Sequence, residues 1–164
     1  MPFLFSSCKK DDDDNRKNAF TIGATEYILD NGAAVFYGIT VEDGAYNFDI
    51  YLFSSDIDYY AETGTGDRVY FELFSETFED IQPGTYTFDA NGTGNAGTFG
   101  RGIKSVITTN YNVLTEVGTS HNVNSGTLQV SVSGDVYTFD FDLVLSDNTK
   151  VDGYFKGELT KIDF

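Results

Sequence analysis

The residues with the most chemistry to offer lie in one polar stretch, Ser55-Asp56-Ile57-Asp58-Tyr59-Tyr60-Ala61-Glu62-Thr63-Gly64-Thr65-Gly66-Asp67. Asp56, Asp58, Glu62 and Asp67 are hard oxygen donors of the kind Ca²⁺ prefers. They lack the spacing of an EF-hand loop, which needs Gly at its sixth position and Glu at its twelfth. No cofactor and no tight calcium site is therefore expected. Tyr59 and Tyr60 beside these acids read instead as a stacking platform for a glycan or as a contact for an envelope protein, because aromatics exposed on loops are disproportionately binding residues. One of the two should pack back on the core. Asp56, Asp58, Tyr59 and Tyr60 are the candidate ligand-binding residues.

Other motifs carry less. Gly92-Thr93-Gly94-Asn95-Ala96-Gly97 matches the dinucleotide fingerprint letter for letter. That fingerprint works by opening a helix whose N-terminus holds the pyrophosphate, and here a strand-like Thr98-Phe99 follows, so the segment reads as a Gly/Asn loop. His121 is the sole histidine and falls in the polar run Gly118-Thr119-Ser120-His121-Asn122, read as a solvated loop. A Ser-His-Asp triad would have to form around it. Paired carboxylates of the glycosidase kind carry no signal in a chain with so many acids. Asp49, Glu72, Asp140 and Asp142 read as solubilising charge on the outer face of a sheet. The expectation is a protein that is not an enzyme and has no catalytic residue. A hydrolase is the alternative that two buried carboxylates in a cleft would signal.

The elements that must position these groups follow from composition and period. At 164 residues the chain fits one domain. Its 40% apolar and 16% aromatic content, with 17 Gly, 2 Pro and no Trp, favours pleated surfaces over helices. From Ala19 onward the period is two: Tyr137, Phe139, Phe141, Leu143 and Leu145 alternate with Thr138, Asp140 and Asp142, and Phe48, Ile50 and Leu52 alternate with Asn47, Asp49 and Tyr51. Short turn signals such as Glu42-Asp43-Gly44 and Ser133-Gly134-Asp135 separate the runs. About nine strands are predicted, near 20–29, 33–41, 45–54, 68–75, 84–89, 98–109, 126–133, 136–146 and 149–162, with one helical turn over Ser75 to Ile81. Phe139, Phe141, Leu143, Phe155 and Leu159 should share one buried face. Gly38, Gly153 and Gly157 inside strands suggest strong curvature. The fold class is all-β, a single antiparallel β-sandwich in which 55–67, 90–97 and 110–125 carry the chain between sheets. An up-and-down, lipocalin-like barrel that could bind an apolar small molecule is the alternative.

Charge and the N-terminus speak to location. Lys and Arg number 10 against 26 Asp and Glu, a net charge of −16, which repels phosphate backbones and excludes nucleic acid as a partner. The four bases and four acids before residue 18 cancel, so the domain carries the whole excess, 22 acids against 6 bases. Phe5-Ser6-Ser7-Cys8 resembles the lipobox of bacterial lipoproteins, in which the cysteine is acylated and becomes the N-terminus. The following Lys9, Lys10 and Asp11 to Asp14 resemble the acidic export signal of Bacteroidota surface lipoproteins. Residues 1–7 are then read as the truncated remnant of a signal peptide, 8–18 as a lipidated cysteine with a charged tether, and 19–164 as the β-domain. Ile81-Gln82-Pro83-Gly84-Thr85-Tyr86-Thr87-Phe88, Ala96-Gly97-Thr98-Phe99, Gly126-Thr127-Leu128-Gln129-Val130, Val136-Tyr137-Thr138-Phe139 and Gly153-Tyr154-Phe155-Lys156-Gly157-Glu158-Leu159 also resemble small Bacteroidota lipoproteins. The resemblance implies lipid attachment at Cys8, an outer-membrane location facing the cell exterior, and a membrane partner reached through that anchor. It implies no activity. The expected role is a binding or accessory module of an envelope complex, with a structural or adhesin component as the alternative.

Overall fold

A computed structural model describes residues 15–40, 45–101 and 105–162, and the chain is all-β. Thirteen strands are present among these residues. They are β1 (Ala19–Ile22), β2 (Thr25–Ile28), β3 (Asn31–Thr40), β4 (Tyr46–Phe53), β5 (Ile57–Asp58), β6 (Thr63–Ser75) and β7 (Gly84–Asp89), then β8 (Thr98–Arg101), β9 (Val106–Asn112), β10 (Val117–Ser133), β11 (Val136–Leu145), β12 (Lys150–Glu158) and β13 (Thr160–Ile162). Ser75 to Ile81 forms bends and no helical turn. The Ser75 and Thr77 hydroxyls donate there to the Asp80 carbonyl, an alternative to helical hydrogen bonding that these short side chains favour.

Two strands are long enough to serve two partners each, and this closes the sheet. β6 pairs with β9 through Thr65–Tyr70 and with β8 at Leu73 and Phe74. β10 pairs with β9 through Val117–Asn122 and with β7 through Thr127–Val130. With β7 beside β8, the five strands form a closed ring. β4, β3 and β13 extend the sheet from the other edge of β6, and β11, β12, β1 and β2 extend it from β10. Only Leu159 separates β12 from β13, so one stretch of chain leaves β11 and arrives beside β3. The two separate sheets expected of a sandwich are therefore not formed. The strands make one continuous sheet containing a closed five-strand barrel, whose order β6-β8-β7-β10-β9 and parallel β7–β8 pair differ from an up-and-down barrel, because 63–67 and 117–125 are strand where irregular crossovers were expected.

Phenylalanine fills the interior. Phe20, Phe48, Phe71, Phe74, Phe99, Phe139, Phe141 and Phe155 are all under 2% exposed. Phe71 on β6 meets Phe99 and Phe141 edge to face, with ring centroids 5.5 and 5.3 Å apart, so β6, β8 and β11 are joined through the core cluster. Phe139, Phe141, Leu143, Phe155 and Leu159 are buried in one cluster, as the alternation predicts, and Phe139 lies directly across from Phe155. Gly153 is opposite Phe141, and a Cβ there would lie 2.1 Å from the Phe141 ring, so the glycine is what lets the ring cover the strand.

The outer face of β4 and β6 departs from its expected role as plain solubilising surface. Asp49 and Glu72, directly opposite each other, are each only 7% exposed. Both tyrosine hydroxyls that flank Asp49, from Tyr37 and Tyr70, donate to its carboxylate at 2.8 Å, which replaces the water it gives up. Burial, and then the bond to Asp49, pushes the Tyr37 hydroxyl up to about 12. Asp140 is half-covered because Arg16 grips it with both ends of its guanidinium and stacks on Tyr154, while Asp142 stays exposed. Asn18 bonds both the N–H and the carbonyl of Lys156, so the last residues before β1 lie on the sheet.

Phe141→Ala should destabilise the domain by about 3 to 5 kcal/mol, the usual cost of emptying a fully buried ring site, read as a lower denaturant midpoint with unchanged slope. A midpoint equal to that of the natural chain would contradict the central position given to this ring.

Candidate functional site

Two neighbouring hairpins close in the same way. Between β5 and β6 the loop is Tyr59 to Glu62, and between β9 and β10 it is Val113 to Glu116. Asp58 precedes the first loop, and its Oδ1 accepts the N–H groups of Tyr60 and Ala61 at 2.9 Å. Asn112 precedes the second, and its Oδ1 accepts the N–H and hydroxyl of Thr115 at 3.0 Å. Each loop ends on a glutamate in the left-handed region, Glu62 with φ 53° and Glu116 with φ 55°. Asp and Asn suit the capping position because their short side chains satisfy turn N–H groups, whereas glutamate is an unusual choice where Gly or Asn is favoured. Each tip holds up a large apolar side chain, Tyr60 at 75% and Leu114 at 73% exposure.

Between the tips lies a cleft of about 480 Å³, whose lining includes Tyr51, Tyr59, Tyr60, Arg68, Tyr111 and Leu114, with Glu62 and Glu116 beside them. A bulge places Tyr111. The register of β9 on β6 shifts between Gly66 and Arg68, with Asn110 at φ 51° taking up the extra residue. Thr108 faces Arg68, and the shift brings Tyr111 opposite Gly66, on the outer face, where strict alternation would have turned it inward. A Cβ on Gly66 would sit 2.1 Å from the Ser54 Oγ, so only glycine fits beneath this crossing. A second apolar cluster of Ala33, Phe53, Ile57, Tyr111 and Val113 forms outside the barrel and floors the site.

Arg68 is held by aromatics. Its guanidinium lies 3.6 Å from the centre of the Tyr111 ring, and its Nη1 donates to the Tyr59 hydroxyl at 3.3 Å. Its Nε is buried and makes no hydrogen bond among the described residues. Burial raises the Tyr59 and Tyr51 hydroxyls above the usual tyrosine value, with Arg68 opposing the shift at both, so these two phenols stay neutral at physiological pH.

The sequence-predicted residues occupy this site in different ways. Tyr60 stands out from the tip. Tyr59 packs back, edge to face on Phe53 with centroids 4.9 Å apart. Asp58 is spent on its cap. Asp56 is exposed, and its carbonyl would lie 1.8 Å from a Cβ on Gly64, which fixes the turn into β6. Asp67 accepts the Asn110 N–H at 3.0 Å and so braces the bulge. Among the described residues no three acidic, His or Cys side chains are placed to hold a metal ion. Cys8 lies outside the described residues. Arg68, Tyr111, Leu114 and Glu116 escaped sequence reasoning, although the repeated spacing Asp58 to Glu62 and Asn112 to Glu116 between strands was there to be seen.

Neither His121 nor the glycine-rich segment lines the cleft. His121 lies on β10, opposite Ile107, and not in a loop; its Nε2 is 3.4 Å from the Thr109 hydroxyl. The glycine-rich segment wraps a carboxylate of its own chain. Asp89, 6% exposed, accepts the N–H groups of Asn91 and Gly94 and the Thr93 hydroxyl. Burial works against the charge, but the bonds from Gly94, Thr93 and Asn91 win and hold the carboxyl below its usual value. No family model matches the chain, and no match was found among curated proteins or solved structures.

Because the folded Asp89 carboxyl is more acidic than in the unfolded chain, its contribution is fully present above the ordinary carboxyl value and is lost as pH falls through the folded one. Asp89→Asn should cost about 1 to 2 kcal/mol at neutral pH, with the gap in melting temperature closing in acid. A gap that widens below pH ~4 would contradict this. Glu62→Gly should hold or raise the melting temperature, since Gly relieves the left-handed strain of about 1 kcal/mol while adding unfolded-state freedom of similar size.

Proposed function

We propose that the chain is a lipid-anchored module of a bacterial cell surface that acts by binding, without catalysis, as a recognition or accessory component of an envelope complex. The observation that carries this reading is the cleft between the two hairpin tips. It combines exposed Tyr60 and Leu114 with the half-buried Arg68 and with Glu62 and Glu116, and clustered exposed apolar groups beside a few convergent polar ones are the mark of a binding surface. Phe5-Ser6-Ser7-Cys8 supports the anchor, and the charged run after it supports outward display on the outer membrane. Arg16 and Asn18 hold the residues just before β1 against the sheet.

Two experiments test the proposal. Expressed behind a complete lipoprotein signal, the natural chain should fractionate with the outer membrane through a carbonate wash, and Cys8→Ser should release a folded, soluble domain. Retention of the Cys8→Ser protein in the pellet would refute the anchor. A photo-crosslinking residue at Leu114 on intact cells should give discrete adducts that the same residue at Asp142 does not, and identical patterns from both would refute binding through the cleft.

A further inference from the structure

We propose that the cleft takes an extended, basic segment of a partner protein, with an apolar side chain seated between the hairpin tips and flanking Lys or Arg on the two glutamates. The proposal rests on the binding role above and names its ligand.

The tips decide the chemistry of the centre. Tyr60 and Leu114, 75% and 73% exposed, border the site, and Val113 also lines it. A sugar ring stacks on an aromatic face, but it gains little from leucine and valine, whereas an apolar side chain buried among Tyr, Leu and Val is the usual core of a protein contact. The rim decides the charge. Glu62 and Glu116 keep carboxylates at left-handed positions where Gly would fit without strain, and they do so in a domain with 22 acids to 6 bases. That field draws cations toward the surface and turns polyanions away. The Arg68 guanidinium in the lining is already engaged by the Tyr111 ring and the Tyr59 hydroxyl, which leaves Glu62 and Glu116 to set the charge that an incoming segment meets.

The length of the occupant follows from a second hollow of about 250 Å³, which shares Tyr59, Tyr60 and Ile162 with the cleft and continues past them to Ser55 and Thr160. The larger hollow, at about 480 Å³, falls in the size range of a self-sufficient ligand site and the smaller one does not. Together they suit a chain that crosses Tyr60, not a single small molecule.

The probes are four compounds titrated calorimetrically at about 0.15 M salt. They are a capped nonapeptide with a central leucine between two pairs of lysines, its alanine-for-leucine and glutamate-for-lysine versions, and maltohexaose. The lysine–leucine peptide should bind, the alanine version about tenfold more weakly, and the glutamate version and the sugar not at all. Glu62→Gln/Glu116→Gln and Tyr60→Ala should each weaken the peptide about tenfold. Asp142→Asn/Glu158→Gln removes the same two charges from exposed positions on β11 and β12 and should change binding less than about twofold. Equal weakening in the two charge variants would reduce the effect to bulk attraction and overturn the proposal. So would failure of the lysine–leucine peptide to bind, or binding of maltohexaose that Tyr60→Ala abolishes. If Leu114 adducts persist on cells while the peptide fails, the ligand class falls and the binding role stands.

Discussion

The structure depends on one constraint: β6 and β10 must each hydrogen-bond to different strands along their two halves. Without that double pairing the ring of β6, β8, β7, β10 and β9 would open into a sheet with bare edges, which soluble proteins avoid. Closure gives the phenylalanines an inside. Phe71 then reaches both Phe99 and Phe141, and seven fully buried phenylalanines pack in the core cluster. Apart from that interior, the small cluster around Phe53, Ile57 and Tyr111 builds a second apolar floor.

That outer floor exists because regular alternation fails at one place. Asn110 absorbs a residue into the bulge, Asp67 braces it, and Tyr111 turns outward over Gly66 to receive Arg68. An inward Tyr111 would have pressed a hydroxyl into a phenylalanine core with no partner for it, so the bulge both spares the interior and furnishes the cleft.

How much of this is legible in the residues varies with what each segment buries. β11 alternates cleanly because one face is core and the other lies open or half-open, and its strand and inward residues follow directly. The first half of β10 is exposed on nearly every residue from Val117 to Asn122, so no burial period marks it, and it reads as loop although its backbone is paired to β9. That one missed segment hides the ring closure and makes a sandwich the natural expectation. Tyr59 and Tyr60 are visible as loop aromatics, but Arg68 and Tyr111 join them only through a register shift, and no local pattern announces which strand will lie alongside. Asp49 and Glu72 look like surface charge because alternation shows the face a side chain points to, not what lies over it; here Tyr37 and Tyr70 bond across Asp49.

The matched construction of the two tips bears on how such a surface can change. Each loop is closed by its own cap, Asp58 or Asn112, and by its own left-handed last residue, while Tyr60 and Leu114 take almost no part in the packing beneath. The tip residues are thus uncoupled from the folding of the barrel. Two or three side chains per loop can therefore be exchanged, by drift or by grafting, on a frame whose closure lies elsewhere.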